Sequence, residues 1–425
     1  MKNENRMIDK WRTQHRTNAL ERRNEMDRTQ PCIAIDVSKG NSHVCGFVEA
    51  LKPHKKVINV HHDQLGFQQI EMLYHHLQVI TQKNPVVIFE STGIYHRCLR
   101  LFLEEKQFDF IEVSPLLSAK HRKNSAIRSA KTDARDTHAL ARLFYDVEFQ
   151  LNQPTNEVYY QLKQLHRYYS ALIPLFVKCK VHFNEKLDIL FPSFRKDVDN
   201  NVYHPSYLNL LKQYPHPKVL SSKRVDVIAR ILRENGIQKS RVRHMAEKIK
   251  SFCKNCYPGT MDSSVDTLIF VKFIEQIQMY QSERERVLLQ MIEYGKQFSL
   301  YYQLQSIPGI GPALSICLIC ELGDLSRFEH HKQLLAYAGL DPTIYQSGKI
   351  SGEGLKISKK GNKHLRRLLF QSITISVNSN FDHPIKTFFQ KKKQTRSIKS
   401  AYTASCDKLL RIIFRINQTG ELYKI

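Results

Sequence analysis

No apolar run in the chain approaches the roughly 20 residues that cross a bilayer, and the first residues are too polar for a secretory leader. Neither a signal peptide nor an anchor is expected, and the scattered cysteines give the expectation of a cytoplasmic protein. Acid is scarce. Against 65 Lys+Arg there are 40 Asp+Glu, and the formal charge of +25 favours a polyanionic partner, with nucleic acid ahead of a membrane surface. Cysteine lacks a framework: nine residues, odd in number and scattered, read as reduced thiols. Two Cys-x-x-Cys pairs occur. Cys317 and Cys320 sit in an apolar helical run and belong to a core. Cys253 and Cys256 sit in a polar stretch expected to be a loop, where a zinc site would need further ligands, with His244 or His216 as candidates.

With 425 residues and 42% hydrophobic content there is material for about two to four domains. Residues 1–30 are a basic N-terminal arm, dominated by Arg12, Arg16, Arg22, Arg23 and Arg28. From 31 to 150 the pattern turns to strands. Cys32–Ser38 reads as a short buried strand that holds Asp36 near its end, and Val44–Val48 and Lys56–His61 continue an antiparallel meander. A helix is expected over Leu65–Thr81, a strand over Pro85–Glu90, a helix over Tyr95–Glu105 and a strand over Phe108–Ser114. Pro115 ends that strand. A further helix begins near Thr132, with Leu140, Leu143, Phe144 and Val147 at helical spacing. This succession is that of an RNase-H-like fold.

Asp133 and Asp136 are three apart and share a helix face with Leu140, Leu143 and Val147. Acids are ordinary at a helix start. Two of them at the edge of an apolar stripe, however, repel each other and lose hydration, and a cation removes both costs. Paired oxygen ligands suit Mg²⁺. Asp36 and Glu90, at strand ends, should meet them at one edge of the sheet, where α/β folds place sites. Lys120, Arg122, Lys123, Arg128 and Lys131 lie between these acids in sequence and suit phosphate contacts.

Residues 151–300 are expected to be a helical coiled-coil region. Apolar periodicity predicts long helices over 157–190, with Pro174 inside, and 263–299, pairing with each other or across a dimer. Between them, 192–262 reads as an insertion with a shorter helix near 223–234. From 301 to 425 the chain is mostly helical. Ile307-Pro-Gly-Ile-Gly311 opens a helix and resembles a helix-hairpin-helix turn, whose N–H groups can hold a phosphate. From Lys356 to Lys399 twelve Lys/Arg face one acid, Asp382, which makes this the densest phosphate-binding candidate. It includes Lys356, Lys359, Lys360, Lys363, Arg366 and Arg367, with Lys349 just before it. Ser347 lies in a Gly-flanked basic stretch. On its own it would be an ordinary turn residue.

Ile35-Asp36-Val37-Ser38-Lys39, Glu90-Ser-Thr-Gly-Ile-Tyr95 and Lys131-Thr-Asp-Ala-Arg-Asp136 form one set of motifs. Ile307–Gly311, Ala338-Gly-Leu-Asp-Pro342, Tyr345-Gln-Ser-Gly348, Ile357–Gly361 and Leu365–Leu368 form another. Together these sets resemble the DEDD transposases of bacterial insertion sequences, the IS-one-ten family of bridge-RNA-guided recombinases. The resemblance covers about 31–150 and 300–390. It implies a RuvC-like domain with catalytic, Mg²⁺-binding acids at Asp36, Glu90, Asp133 and Asp136, and a nucleophilic serine at Ser347 in the C-terminal transposase domain. Tyr345, Ser351 and Ser358 are the rivals to that serine. The implied partners are donor and target DNA, a structured noncoding guide RNA and further copies of the chain in a dimer or tetramer, with the site formed between subunits. The basic arm and the 192–262 insertion depart from the family pattern. Two other readings stand beside this one: a RuvC-like junction nuclease that uses water, and a non-catalytic nucleic-acid scaffold.

Overall fold

Every residue of strand β1, Cys32–Val37, is buried except Asp36, which is half-buried. A strand so enclosed needs cover on both faces, and the computed structural model supplies it. The structure describes residues 28–91, 93–125, 133–149, 151, 157–343 and 356–424, without the side chains of 116, 122–125, 133 and 134. The chain divides into two compact units, Met1–Pro154 and Thr155–Ile425. It is a mixed α/β protein, mostly helical, with its sheet in the first unit.

In the first unit, β2 (Asn41–Glu49) runs antiparallel to β1 and carries β3 (Lys52–Pro53) and β4 (Ile58–His61). On its other side β1 pairs in parallel with β5 (Val86–Glu90), which pairs in parallel with β6 (Phe110–Val113). The helices between are α1 (Gln64–Thr81) and α2 (Arg97–Glu105). Side chains alternate across a strand, so two cores form. Ile33, Ile35, Val37, Val87 and Phe89 pack with Ile70, Leu77, Leu99 and Leu103, placing α1 and α2 on one face. Cys32, Ala34, Val86, Ile88, Ile111 and Val113 pack on the other face with Leu140, Leu143 and Phe144. Those last residues belong to α4 (Asp133–Asp146), which follows α3 (Pro115–Ser125).

The expected strands and helices are present with shifted ends, and the expected third strand is reduced to Ile58–His61. Helix α3 was not expected, because Pro115 reads as a terminator. Proline is tolerated in a first turn, where its missing N–H has no helical acceptor in any case.

The second unit is organised by α5 (Glu157–Leu190) and α6 (Val265–Gly295). The two pair antiparallel within the chain. Leu162 shares a core with Met291, Tyr168 Oη donates to Glu283, Phe183 stacks on Phe270, and Lys186 pairs with Asp266. Full burial of each such ring is worth roughly 2–3 kcal/mol. Pro174 sits inside α5 and removes one main-chain donor. The 192–262 stretch folds back on this pair. Its helices, including Val225–Glu234 and Lys239–Asn255, bury Tyr207, Ile228, Leu232 and Ile249 against Phe183, Phe191 and Phe270. Of the two cysteines expected in a loop, Cys253 is helical and only Cys256 opens the coil that follows. Cys253 is buried on the last turn of the Lys239–Asn255 helix and Cys256 caps it.

Beyond α6 come a short helix, Ser299–Gln305, then α7 (Pro312–Leu322) and a second short helix, His331–Tyr337. The chain closes with α8 (Lys363–Val377), α9 (Pro384–Thr395) and α10 (Ile398–Thr419). They bury a core from Leu162 to Ile416 that includes Cys317 and Cys320, as expected from their apolar run. No helix among the described residues is long and apolar enough to cross a membrane.

Gly339 and Gly361 cross at van der Waals distance. A Cβ on Gly361 would collide with Gly339 N and Tyr337 O, and Gly339 adopts φ +65°. Gly361→Ala should therefore destabilise the second unit by about 2 kcal/mol or more, since the obstruction is main chain and cannot rotate away. Calorimetric unfolding at neutral pH measures this, and an unchanged transition would contradict the close approach.

Candidate active site and nucleic-acid surfaces

The parallel register between β1 and β5 pairs Ile35 with Phe89. The residues that follow, Asp36 and Glu90, are thus neighbours on adjacent strands, with backbones about 4.8 Å apart. Their parity is that of Cys32 and Ala34, and of Val86 and Ile88. By alternation both carboxylates belong to the sheet face covered by α4. Asp136 is half-buried on α4, one turn before the buried Leu140. Near the other end of α4, Tyr145 Oη donates to the Gln30 carbonyl at 2.8 Å, just ahead of β1. The start of α4 is thereby directed toward the end of β1 that carries Asp36. The fold brings Asp36, Glu90 and the first turns of α4 to one edge of the sheet.

Asp133 is the first residue of α4, and its carboxylate lies outside the described side chains. Among the described residues no three His, Cys, Asp or Glu side chains form a group that could hold a metal, and this covers Asp36, Glu90 and Asp136 as well as Cys253 and Cys256 with His216 and His244. His216 is engaged otherwise, with Nε2 at 3.1 Å from the Thr260 carbonyl. The acids of the sheet edge are all carboxylates, the donor type that Mg²⁺ prefers.

Of the basic residues near the acids, Lys120 is exposed on α3. Arg122 and Lys123 are on the same helix with side chains not described, and Arg128 and Lys131 lie outside the described residues. Ser347, Lys349 and the rivals Tyr345 and Ser351 fall in 344–355, also outside them. The flanks of that segment are described. Pro342 and Ile357 form an antiparallel bridge, Thr343 N donates to the Lys356 carbonyl at 2.9 Å, and Ser358 N donates to the Asp341 carbonyl at 2.8 Å. The two ends of the segment are therefore held together. Ser358 is engaged as well, its hydroxyl donating to Asp341 at 2.6 Å.

Beneath these flanks lies a buried polar cluster that the sequence reading missed. Glu321, on α7, has a fully buried side chain. Its Oε1 is 2.7 Å from His166 Nδ1, and its Oε2 accepts from Arg167 at 2.8 Å and Asn362 Nδ2 at 2.7 Å. Asn362 Oδ1 caps α8 by accepting from His364 N and Leu365 N. Tyr337 Oη donates to the Glu321 carbonyl at 3.1 Å. Burial pushes the Glu321 carboxyl up, but the hydrogen bonds from His166 and Asn362 and the charges of His166 and Arg167 outweigh it and hold it at about 2. One signal was available: Glu321 is the single charged residue of the apolar run Pro312–Leu322.

Lys356, Lys359, Lys360, Lys363 and Arg367 are exposed, as a phosphate surface requires. Arg366 is half-buried and donates to the Ala338 carbonyl at 2.9 Å, so one arm of its guanidinium serves the fold. The Ile307–Gly311 turn joins two helices, as the hairpin resemblance requires. Gly309, at φ +88°, is pressed against Ser376, whereas Gly311, Pro312 and Ala313 are exposed at the start of α7.

Two family models match the chain. A transposase model of the DEDD, IS110 type covers residues 33–192, and one described as the transposase IS116/IS110/IS902 family covers 301–390. The chain is similar to an uncharacterized 43.6 kDa protein of insertion element IS110 from Streptomyces coelicolor, 22% identical over 69% of this chain and 72% of that protein. It is similar to the pilin gene-inverting protein of Moraxella bovis, 32% identical over 27% of this chain and 35% of that protein. It is also similar to the transposase for insertion sequence element IS1111A from Coxiella burnetii, 40% identical over 16% of this chain and 18% of that protein.

The Glu321 cluster sets a pH dependence. A carboxyl held at about 2 when folded and near the ordinary 4.5 when unfolded stabilises the fold above pH 4.5. That contribution, about 3 kcal/mol, disappears as pH falls from 4.5 toward 2. Glu321→Gln should lower the stability of the second unit at pH 7 by a similar amount and flatten its acid dependence in that window. Denaturant titrations at pH 7, 4 and 3 measure both effects, and parallel acid curves for the two proteins would refute the assignment.

Proposed function

By its two family matches this chain is a DNA transposase of the IS110-family DEDD type, and from that premise we propose that it cuts and rejoins donor and target DNA under the guidance of a structured RNA. The observation that carries the chemistry is the registered pair Asp36 and Glu90 on the sheet face covered by α4. Asp36, Glu90, Asp133 and Asp136 would hold Mg²⁺, which when bound stabilises charge on a scissile phosphate. The acids suit this role because carboxylate oxygens are the donors that Mg²⁺ prefers.

Ser347 supplies the nucleophile in this reading. Its hydroxyl gives up its proton as the oxygen bonds to phosphorus, the bond from phosphorus to one deoxyribose oxygen breaks, and that oxygen takes up a proton and leaves as a hydroxyl. The phosphoserine ester conserves the bond for rejoining. A serine hydroxyl is weak at its own pKa and needs activation. Two features support the choice of Ser347. The ends of its segment are held together over a buried cluster, and Ser358 already donates to Asp341. Base pairing by the RNA would read sequence, while exposed lysines hold the backbone. An oligomer of the chain, a dimer or tetramer, would handle the two DNA partners.

Asp36→Asn and Ser347→Ala should each abolish strand exchange yet bind DNA within about twofold of the parent, since neither removes a phosphate contact. Mass spectrometry of nuclease-trimmed adducts should find nucleotide mass on Ser347. An adduct on Tyr345, or full exchange by Ser347→Ala, would transfer the role to another group. Full exchange by Asp36→Asn would remove the acids from the chemistry.

Replacing Lys359, Lys360 and Lys363 together by Ala should weaken DNA binding irrespective of sequence and lower the salt slope of log K by about 2 to 3 units. Fluorescence anisotropy across a salt series measures the slope, and an unaltered slope would move the phosphate surface elsewhere.

A further inference from the structure

Helix α9 buries Ile385 and Phe389 in the core of the second unit. Its adjoining face carries Thr387, Phe388 and Lys391 and lines an open depression of about 530 Å³, together with Asp382, Pro384 and Lys408. That volume is within the roughly 300–1,000 Å³ of small-ligand sites. Phe388 is half-buried and stands outside the apolar core that takes its neighbour Phe389. Lys408 lies 4.6 Å and Lys392 5.4 Å from its ring centroid. An aromatic ring left out of the core and bracketed by lysines has a π-face to offer and phosphate-binding groups beside it.

We propose that this depression docks an unpaired nucleotide of a single-stranded nucleic acid, its base stacked on Phe388 and its phosphates on Lys391, Lys392 and Lys393. The energetics favour exchange. A lysine over the half-buried Phe388 ring contributes less than a base stacked on it, so the base displaces Lys392, and the released ammonium then meets phosphate. Lys408 stays in place, because its ammonium donates to the Pro384 carbonyl at 3.2 Å. Lys391 and Lys392 follow Phe388 by three and four residues and so share its side of the helix, and Lys393 and Arg396 are exposed just beyond. Asp382, on the opposite rim, repels phosphate but can accept from the exocyclic amino group of a cytosine. Lys386 is already engaged, donating to the Ser379 carbonyl and pairing with Asp382.

The inference rests on the nucleic-acid reading of the second unit but not on the chemistry assigned to the acids or to Ser347. The full-length chain is titrated with oligocytidylate and oligodeoxycytidylate of about 12 nucleotides, and with a duplex DNA, by fluorescence anisotropy. Phe388→Ala should weaken the single strands roughly tenfold and leave the duplex within twofold, and Phe388→Trp should restore single-strand binding. Equal loss in both single strands assigns the site to base stacking in general. Loss in the RNA strand alone assigns it to RNA, and loss in the DNA strand alone assigns it to displaced DNA. Unchanged single-strand affinity with intact duplex binding would overturn this site and leave the transposase reading standing. A parent chain that binds none of the three probes would overturn both. Phe388→Trp as weak as Phe388→Ala would also overturn stacking, because it keeps an aromatic face.

Discussion

The buried carboxylate of Glu321 is the constraint on which the second unit depends. A charge with no access to water costs several kcal/mol unless every lone pair is engaged. Here His166 and Arg167 reach it from α5, Asn362 from the start of α8, and Tyr337 holds its main chain from the adjoining short helix. Four chain segments spread from His166 to Asn362 are thus required to meet at one point. An apolar side chain would have packed there with less cost, but it would not fix which groups face it. The carboxylate does, and so it specifies the arrangement beneath Pro342 and Ile357.

The same logic links fold to chemistry in the first unit, with strand register in place of a buried charge. Parallel pairing of β1 with β5 sets Asp36 beside Glu90, and alternation turns both to the side of α4. A slip of one residue would send either carboxylate to the face packed by α1 and α2, among Ile35, Phe89 and Leu99. The buried residues that precede each acid therefore hold the acids in position.

Much of the first unit was legible because its signals are local. Short apolar runs bounded by polar residues gave β1, β5 and β6, and helical spacing gave α1, α2 and α4. Helix α3 was hidden by Pro115, whose sequence meaning as a terminator and as a first-turn residue is the same until the following residues are seen to pack. The long helices were legible from periodicity, but the expected choice between pairing within the chain and across a dimer was not, since the apolar stripe is identical in both. Lys186 with Asp266 and Phe183 on Phe270 decide it in favour of pairing within the chain. The Glu321 cluster was out of reach for another reason. His166 and Glu321 are 155 residues apart, and no spacing rule joins them. Asp36 and Glu90 are candidates by position at strand ends, Asp133 and Asp136 by a shared helix face, and Ser347 by motif alone.

Charge is the remaining link between the fold and its partner, and the structure divides it unevenly. The sequence counts every Lys and Arg from Lys356 to Lys399 alike, yet Arg366 donates to Ala338 and Lys386 to Ser379, where they stabilise turns and helix ends. Such cations keep their charge, but the donors already committed to carbonyl oxygens are less free to meet a phosphate. Lys356, Lys359, Lys360, Lys363 and Arg367 remain exposed around the start of α8, and Lys391, Lys393, Arg396 and Lys399 around the end of α9. Lys359 is held at φ +55°, and the chain there bonds through Lys359 N to the Gly339 carbonyl at 3.1 Å. A lysine fixed by its main chain loses less entropy on meeting a phosphate than one on a free tail. The first group is therefore suited to positioning a backbone, and the second both to gathering nucleic acid by long-range attraction and to holding phosphates of a strand docked at Phe388.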